Sequence, residues 1–237
     1  QYSVTINGGN IYIVSSDDGL NAAGGSDSSA LGGRPGQGSF SSGTNYSITI
    51  NGGYLYVNAA GDGIDSNGAL YVTGGTTLVN GPTDNGNGPL DYTSEFQITG
   101  GIFVAAGSSG MAQAPSSSST QYSVMTTFSG SQQAGTVIRL ESSDGTNIMT
   151  FVPNKTFQSI LISTPDIVQG EEYTLYTGGS VSGDSTDGYY TDDTYTQGTE
   201  LSTFTVSSVV TYISNGNVSN SGGMGMTQPG MGGQGRR

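Results

Sequence analysis

The chain has 237 residues, 41 of them glycine, and contains no cysteine, histidine or tryptophan, which excludes thiolate and imidazole zinc sites, cysteine nucleophiles and any triad that needs a histidine. It carries 18 acidic residues against 5 basic ones, a net charge of −13. Nucleic acid is therefore not an expected partner, because its binders need a basic face to release counterions from phosphates.

Helix formers are sparse in every window and no 3.6-residue apolar period is sustained, whereas short runs alternate Val, Ile, Tyr and Thr. This pattern predicts an all-β fold with many tight turns. The sequence begins at Gln1 with no Met, no signal peptide and no hydrophobic run of 18 residues. No membrane insertion is expected, and a mature secreted product or an excised domain would look like this, at the cell surface or outside the cell.

In chain order, four segments align on a Gly-Gly pair: SVTINGGNIYIV (3–14), SITINGGYLYVN (47–58), ALYVTGGTTLVN (69–80) and FQITGGIFVAA (96–106). The pairs begin at Gly8, Gly52, Gly74 and Gly100, spaced by 44, 22 and 26 residues, so the first gap reads as about two steps. Before each pair apolar residues alternate (Val4/Ile6, Ile48/Ile50, Leu70/Val72, Phe96/Ile98), and after it a second alternating run follows. Strand, glycine corner, strand and loop at this period predict a parallel β-helix over residues 1–115, its coils stacked at about 4.8 Å. An antiparallel sandwich with chance similarity is the alternative. Residues 26–45 break the rhythm, as a degraded coil or a long loop.

From about residue 116 the pattern changes. PSSSST (115–120) reads as a linker or loop, and longer strand-like runs follow at 122–128, 135–142, 146–153, 159–165, 172–177 and 200–214. Residues 116–214 are expected to form a β-rich C-terminal part, either an antiparallel module or final coils covering the open end. The acidic, tyrosine-rich segment 182–198 is predicted to be a loop, and the Gly/Met-rich tail 215–237 has no means of burying a core.

Acidic turns recur on the same repeat. Asp18-Gly19-Leu20-Asn21 lies nine residues after Gly9, and Asp62-Gly63-Ile64-Asp65 nine after Gly53. A longer third loop runs from Asp84 through Asn85 and Asn87 to Leu90-Asp91. The aliphatics Leu20, Ile64 and Leu90 should stack inside. Asn21, Asp65 and Asp91 should form one outer column and Asp18 and Asp62 a second, with Asp17 beside them. Carboxylates stacked at this spacing repel when dry. Water can screen them, or a cation can sit between coils. Calcium, which takes six to eight oxygens, suits short carboxylates on glycine turns. The alternative is that Asp and Asn simply make turns. No EF-hand loop and no RTX nonapeptide is present.

The segments DDGLNAAGG, GGRPGQG, NGGYLYVNAAGDGIDSNGALYVTGG, NGPTDNGNGPLDY and ITGGIFVAAGSSGMAQAP follow one another up to about residue 115. With the later VPNKTFQSILISTPDIVQGEEYTLYTGG, they resemble the clostridial-type carbohydrate-binding domain family, which has a pectate-lyase-like right-handed parallel β-helix. The resemblance covers most of the chain. It implies a secreted, calcium-binding protein with affinity for cellulose or acidic pectic sugars and no established cleavage. Two departures from it are expected: a stretch that would precede the first coil is missing or cleaved, and the Gly/Met-rich tail has no counterpart.

An enzyme reading has little to build on. A pectate lyase needs a basic residue as proton acceptor, and only Arg34, Arg139, Lys155, Arg236 and Arg237 exist. An acidic site opposes the lowered pKa such a base requires. A hydrolase pair drawn from Asp17, Asp18, Asp62 or Asp65 would compete with their use as calcium ligands. Binding requires less: Tyr12 and Tyr56 occupy equivalent outward positions, Tyr92 follows Asp91, and Arg34 could pair with a uronate carboxylate. These tyrosines could equally pack on neighbouring coils. A second class of function is a structural subunit of an extracellular fibre, since a solenoid with exposed end strands can add copies of itself into filaments.

Overall fold

The computed structural model describes residues 3–22 and 46–219. These residues are all-β: twenty-one strands and no helix, hence no helix long and apolar enough to cross a membrane. The repeat seen in the sequence sorts its strands into three sheets. β1 (Ser3–Ile6), β4 (Ser47–Ile50), β7 (Ala69–Val72) and β10 (Glu95–Ile98) form a four-stranded parallel sheet. β3 (Leu20–Ala22), β6 (Ile64–Ser66) and β9 (Leu90–Tyr92) form a three-stranded parallel sheet. β2 (Asn10–Ser15), β5 (Tyr54–Ala59), β8 (Thr76–Asn80) and β11 (Ile102–Gly107) run parallel in the first half of an eight-stranded sheet.

The pairing is direct across the 44-residue gap: Ser3 lies opposite Ser47, Asn10 opposite Tyr54 and Leu20 opposite Ile64. No coil intervenes, so the expectation that the first gap spans two steps is corrected. Residues 23–45, with Arg34 and most of the rhythm-breaking stretch among them, lie outside the described residues.

Why the strands stack in this register follows from the glycine corners. Gly53, Gly75 and Gly101 have φ of +90°, +82° and +89°, which side chains disfavour. Each also lies against the preceding Gly pair: a Cβ on Gly53 would sit 2.6 Å from the Gly9 carbonyl oxygen, and one on Gly75 2.6 Å from that of Gly53. Gly8 and Gly9 belong to the first unit and meet nothing within 4 Å.

The inward residues of all three sheets, including Ile48, Ile50, Leu55, Val57, Ile64, Val79 and Leu90, share one core. The alternate residues of the eight-stranded sheet, Tyr56, Leu78 and Val104, face a second core. That core is completed by a six-stranded antiparallel sheet of β17 (Ser180–Thr186), β18 (Tyr189–Thr196), β14 (Asn147–Phe151), β13 (Ile138–Ser142), β16 (Glu172–Thr177) and β19 (Thr199–Thr205), which supplies Ile138, Leu140, Phe151, Tyr173, Leu175 and Phe204. The middle strands of the eight-stranded sheet are therefore buried on both faces, whereas β2 at its edge keeps Tyr12 and Val14 exposed. Beyond β11 it continues through β15 (Phe157–Ser163), β12 (Ser123–Gln132), β20 (Val210–Ser214) and β21 (Asn217–Ser219).

Two sequence expectations change here. The acidic segment 182–198 is not a loop but most of the β17–β18 hairpin, turning at Asp187 and Gly188 with φ of +52° and +86°. The single run expected at 200–214 divides into β19 and β20. The stretch around 115–120 does more than link. The Gln113 side chain accepts from the Tyr92 amide at 2.8 Å and donates to the Tyr92 carbonyl at 3.3 Å. Ser116 and Ser119 hydroxyls accept from the Phe96 and Ile98 amides, each at 3.0 Å. Side chains here stand in for a further strand and close the edges of β9 and β10.

Gly53→Ala should cost about 2–4 kcal/mol, from strained φ and backbone contact together, whereas Gly8→Ala should stay within about 0.5 kcal/mol of the parent. Urea melts of both variants check this, and equal costs would refute the close-packed corner.

Candidate functional site

The acidic turns join the eight-stranded sheet to the three-stranded one. Backbone bonds stack them: the Gly19 amide donates to the Asp62 carbonyl at 2.8 Å, and the Gly63 amide to the Gly88 carbonyl at 3.1 Å. Such close approach leaves Gly63 no room for a Cβ, which would run into the Pro89 carbonyl.

On this frame the carboxylates climb like stairs. The Asp62 amide donates to Asp18 Oδ1 at 2.9 Å, and the Gly88 amide donates to Asp62 Oδ1 at 2.6 Å. Each carboxylate thus holds the turn of the next unit. Beside them Asn21, Asp65 and Asp91 lie in one register column. Asn21 ties the two columns together, its Nδ2 donating to Asp18 Oδ2 at 2.7 Å and to Asp65 Oδ2 at 2.9 Å.

The electrostatics are unfavourable to ionisation. Burial pushes the Asp62 carboxyl up to about 7, with Asp91, Asp18 and Asp17 adding like charge and the Gly88 amide opposing. Asp91 is raised too, by burial and then by Asp18. Asp18, Asn21, Asp62, Asp65 and Asp91 therefore form one stacked group, and Asp17 acts on it from an exposed position.

Of the remaining predicted ligands, Asp84 bonds within its own loop, whereas Asn85 and Asn87 bond the segment after β11. Asp84 Oδ1 accepts from the Gly86 amide at 2.9 Å, and Asn85 Oδ1 from the Gly110 amide at 3.2 Å. The Asn87 carbonyl accepts from the Ser108 hydroxyl. Among the described residues no three acidic side chains are gathered closely enough to enclose a metal ion unaided.

Of the candidate sugar-binding tyrosines, one offers an open ring. Tyr12 is 58% exposed and lies 5.7 Å from the Tyr54 ring and 6.0 Å from that of Tyr56. Tyr56, although opposite Tyr12 in register, is only 8% exposed, because the C-terminal part covers it and Asn154 donates to its hydroxyl. Tyr92 is half-buried, donates to the Ala114 carbonyl at 2.7 Å and packs edge-on against Phe96. The equivalent strip expected of Tyr12 and Tyr56 is thus interrupted by tertiary packing.

Two partners escaped the sequence reading. Tyr54 donates to Asp187 Oδ2 at 2.7 Å, and burial followed by that carboxylate pushes its hydroxyl pKa far up. Lys155 donates to the Ala59 carbonyl at 2.5 Å, its pKa lowered by burial against the opposing pull of Asp84. Both contacts span about a hundred residues or more, and no local pattern announces them. No protein-family model, curated protein or solved structure matches this chain. Function is accordingly argued from the stacked carboxylates themselves.

Because the folded Asp62 holds its proton to about pH 7 while an unfolded Asp releases it near 3.8, stability should fall as pH rises through that window. In metal-free buffer Asp62→Asn, which keeps an oxygen for the Gly88 amide, should remove about 1–2 kcal/mol of that loss. Denaturant melts from pH 4.5 to 8 measure it, and an unchanged slope in the variant would refute the assignment.

Proposed function

We propose that this chain is a secreted, non-catalytic carbohydrate-binding protein. In this reading its repeat units are coils of a right-handed parallel β-helix, and its stacked carboxylates take up calcium. The observation that carries it is the register column Asn21–Asp65–Asp91 beside Asp18 and Asp62, with Asp62 dry enough to be raised to about 7. Carboxylates of one sign held this close favour either protons or a hard cation.

The donor set suits calcium. Asp62, Asp65 and Asp91 would supply carboxylate oxygens, and Asn21 would supply its Oδ1 once its amide turns from donor to acceptor. At present the Asn21 amide does part of what a cation would do, by bridging Asp18 and Asp65. Bound calcium would neutralise the column and offer positive charge to an acidic sugar. The Tyr12 ring, open on one side, suits stacking on a sugar face.

A binding role is also supported by how the two basic residues among the described ones are used. Arg139 is buried and paired with Glu141 and Asp193 at 2.7 and 2.5 Å, and Lys155 is turned onto a backbone carbonyl. Both serve the fold, which suits a protein that holds a polysaccharide, pectic or cellulosic, without cleaving it. The place of action would be the cell surface or the extracellular matrix.

Calcium should raise the melting temperature, with about 2.7 kcal/mol of added stability at a concentration 100 times the dissociation constant. Chelation should remove that gain together with retention on polygalacturonate, and Asp65→Asn with Asp91→Asn should abolish both. Melting and retention indifferent to calcium would sink the proposal.

A further inference from the structure

Three tyrosine rings meet on the outer face of the eight-stranded sheet. Tyr12 on β2 lies 5.7 Å from the ring of Tyr54 and 6.0 Å from that of Tyr56, both on β5, and is tilted by 43° and 46° to them. The C-terminal part of the chain brings polar groups to both β5 hydroxyls. Tyr54 donates to Asp187 Oδ2 at 2.7 Å, and the other oxygen of Asp187 takes no hydrogen bond among the described residues. Asn154 donates to the Tyr56 hydroxyl, with the side-chain amides of Asn58 and Asn80 beside it.

The polar capacity of this cluster is not used up. Asn80 is 1% exposed, and its Oδ1 accepts from the Asn154 amide at 3.0 Å, but its Nδ2 has no hydrogen-bond partner. A buried donor left in that condition costs about 1–3 kcal/mol, and proteins keep few of them. An oxygen brought in beside the exposed Asn154 side chain would remove that cost.

An open aromatic face with a carboxylate and amides around it is the chemistry a pyranose requires. The sugar ring stacks, the carboxylate accepts from its hydroxyls, and the amides both donate and accept. Tyr12 supplies the face at 58% exposure, and Val14, at 79%, extends it along the same side of β2. Charge selects among sugars. Asp187 would repel a uronate carboxylate, and Lys155, the residue after Asn154, directs its amine to the Ala59 carbonyl. A neutral sugar brings only hydroxyls and meets no such repulsion.

We infer that Tyr12, Tyr54, Asp187 and Asn154 form a binding site for a neutral polysaccharide, with a flat pyranose face on Tyr12, and that this site works without calcium. The inference rests on the carbohydrate-binding reading and deepens it by separating two sites. The acidic turns lie beyond the ends of the strands, where calcium would draw an acidic sugar. The tyrosine cluster lies on the sheet face and takes the uncharged one.

The test titrates the full chain by calorimetry with cellohexaose, whose equatorial hydroxyls leave a flat apolar ring face, and with hexagalacturonate, each in EDTA and in calcium. Cellohexaose should bind equally in both buffers. Tyr12→Ala changes an exposed side chain, so its melting should stay near the parent's while cellohexaose binds about tenfold more weakly. Tyr12→Phe keeps the ring and should keep the affinity. Asp187→Asn retains an oxygen for the Tyr54 hydroxyl and should weaken cellohexaose about fivefold. Hexagalacturonate should be indifferent to Tyr12→Ala. Cellohexaose that fails to bind, or that binds Tyr12→Ala as well as the parent, overturns the inference. Retention of hexagalacturonate in calcium would then leave the carbohydrate-binding reading standing, whereas failure of both sugars in both buffers removes the two together.

Discussion

At Gly53, Gly75 and Gly101 the chain reverses with φ near +90° while its backbone rests on that of the preceding glycine pair. Two requirements meet at one position: a conformation side chains avoid and a gap no Cβ can enter. Only the Gly-Gly step satisfies both. Once these corners stack, the strands on either side are held in register, and a slip by one residue would turn every inward aliphatic outward. The three parallel sets of strands and their shared core all follow from that contact.

The same register creates the electrostatic problem at the acidic turns. Stacking that buries Leu20, Ile64 and Leu90 necessarily aligns Asn21, Asp65 and Asp91 one residue further on. The fold answers part of the repulsion with backbone amides, giving Asp18 the Asp62 N–H and Asp62 the Gly88 N–H. An asparagine in place of a fifth aspartate answers another part, since its amide donates to carboxylates on both columns. What remains uncompensated is burial of like charge around Asp62 and Asp91, the physical basis for the proposal of a cation there.

The C-terminal sheet decides which surfaces stay available. By packing on the outer face of the eight-stranded sheet it takes Tyr56, Leu78 and Val104 into a second core and stops short of Tyr12 and Val14. The β17–β18 hairpin reaches β5, where Asp187 receives the Tyr54 hydroxyl. One of its charges is tied into the sheet: Asp193 takes bonds from Arg139 and Asn147, and Arg139 lies 5.0 Å from the Tyr195 ring. A segment whose composition reads as loop is a strand pair because the sheet supplies those partners.

Much of the site was legible in the sequence, because a period of strands and glycines is a local property repeated along the chain. Spacing alone placed Asp18 with Asp62 and Asn21 with Asp65 and Asp91, and the alternation of Ile, Val and Leu gave the inward faces. The separate work of Asp84, Asn85 and Asn87 was not legible, since an Asx turn and a ligand loop use the same residues. Nor was the direct pairing of Ser3 with Ser47 across 44 residues, a count that the sequence alone equally allows as two repeat steps. By itself the sequence determined the strands, the corners and the alignment of acidic turns, because each depends on neighbours within one repeat. Only the tertiary structure decided that Tyr56 is buried while Tyr12 is open and that 182–198 forms strands, because those outcomes depend on a sheet contributed by distant residues.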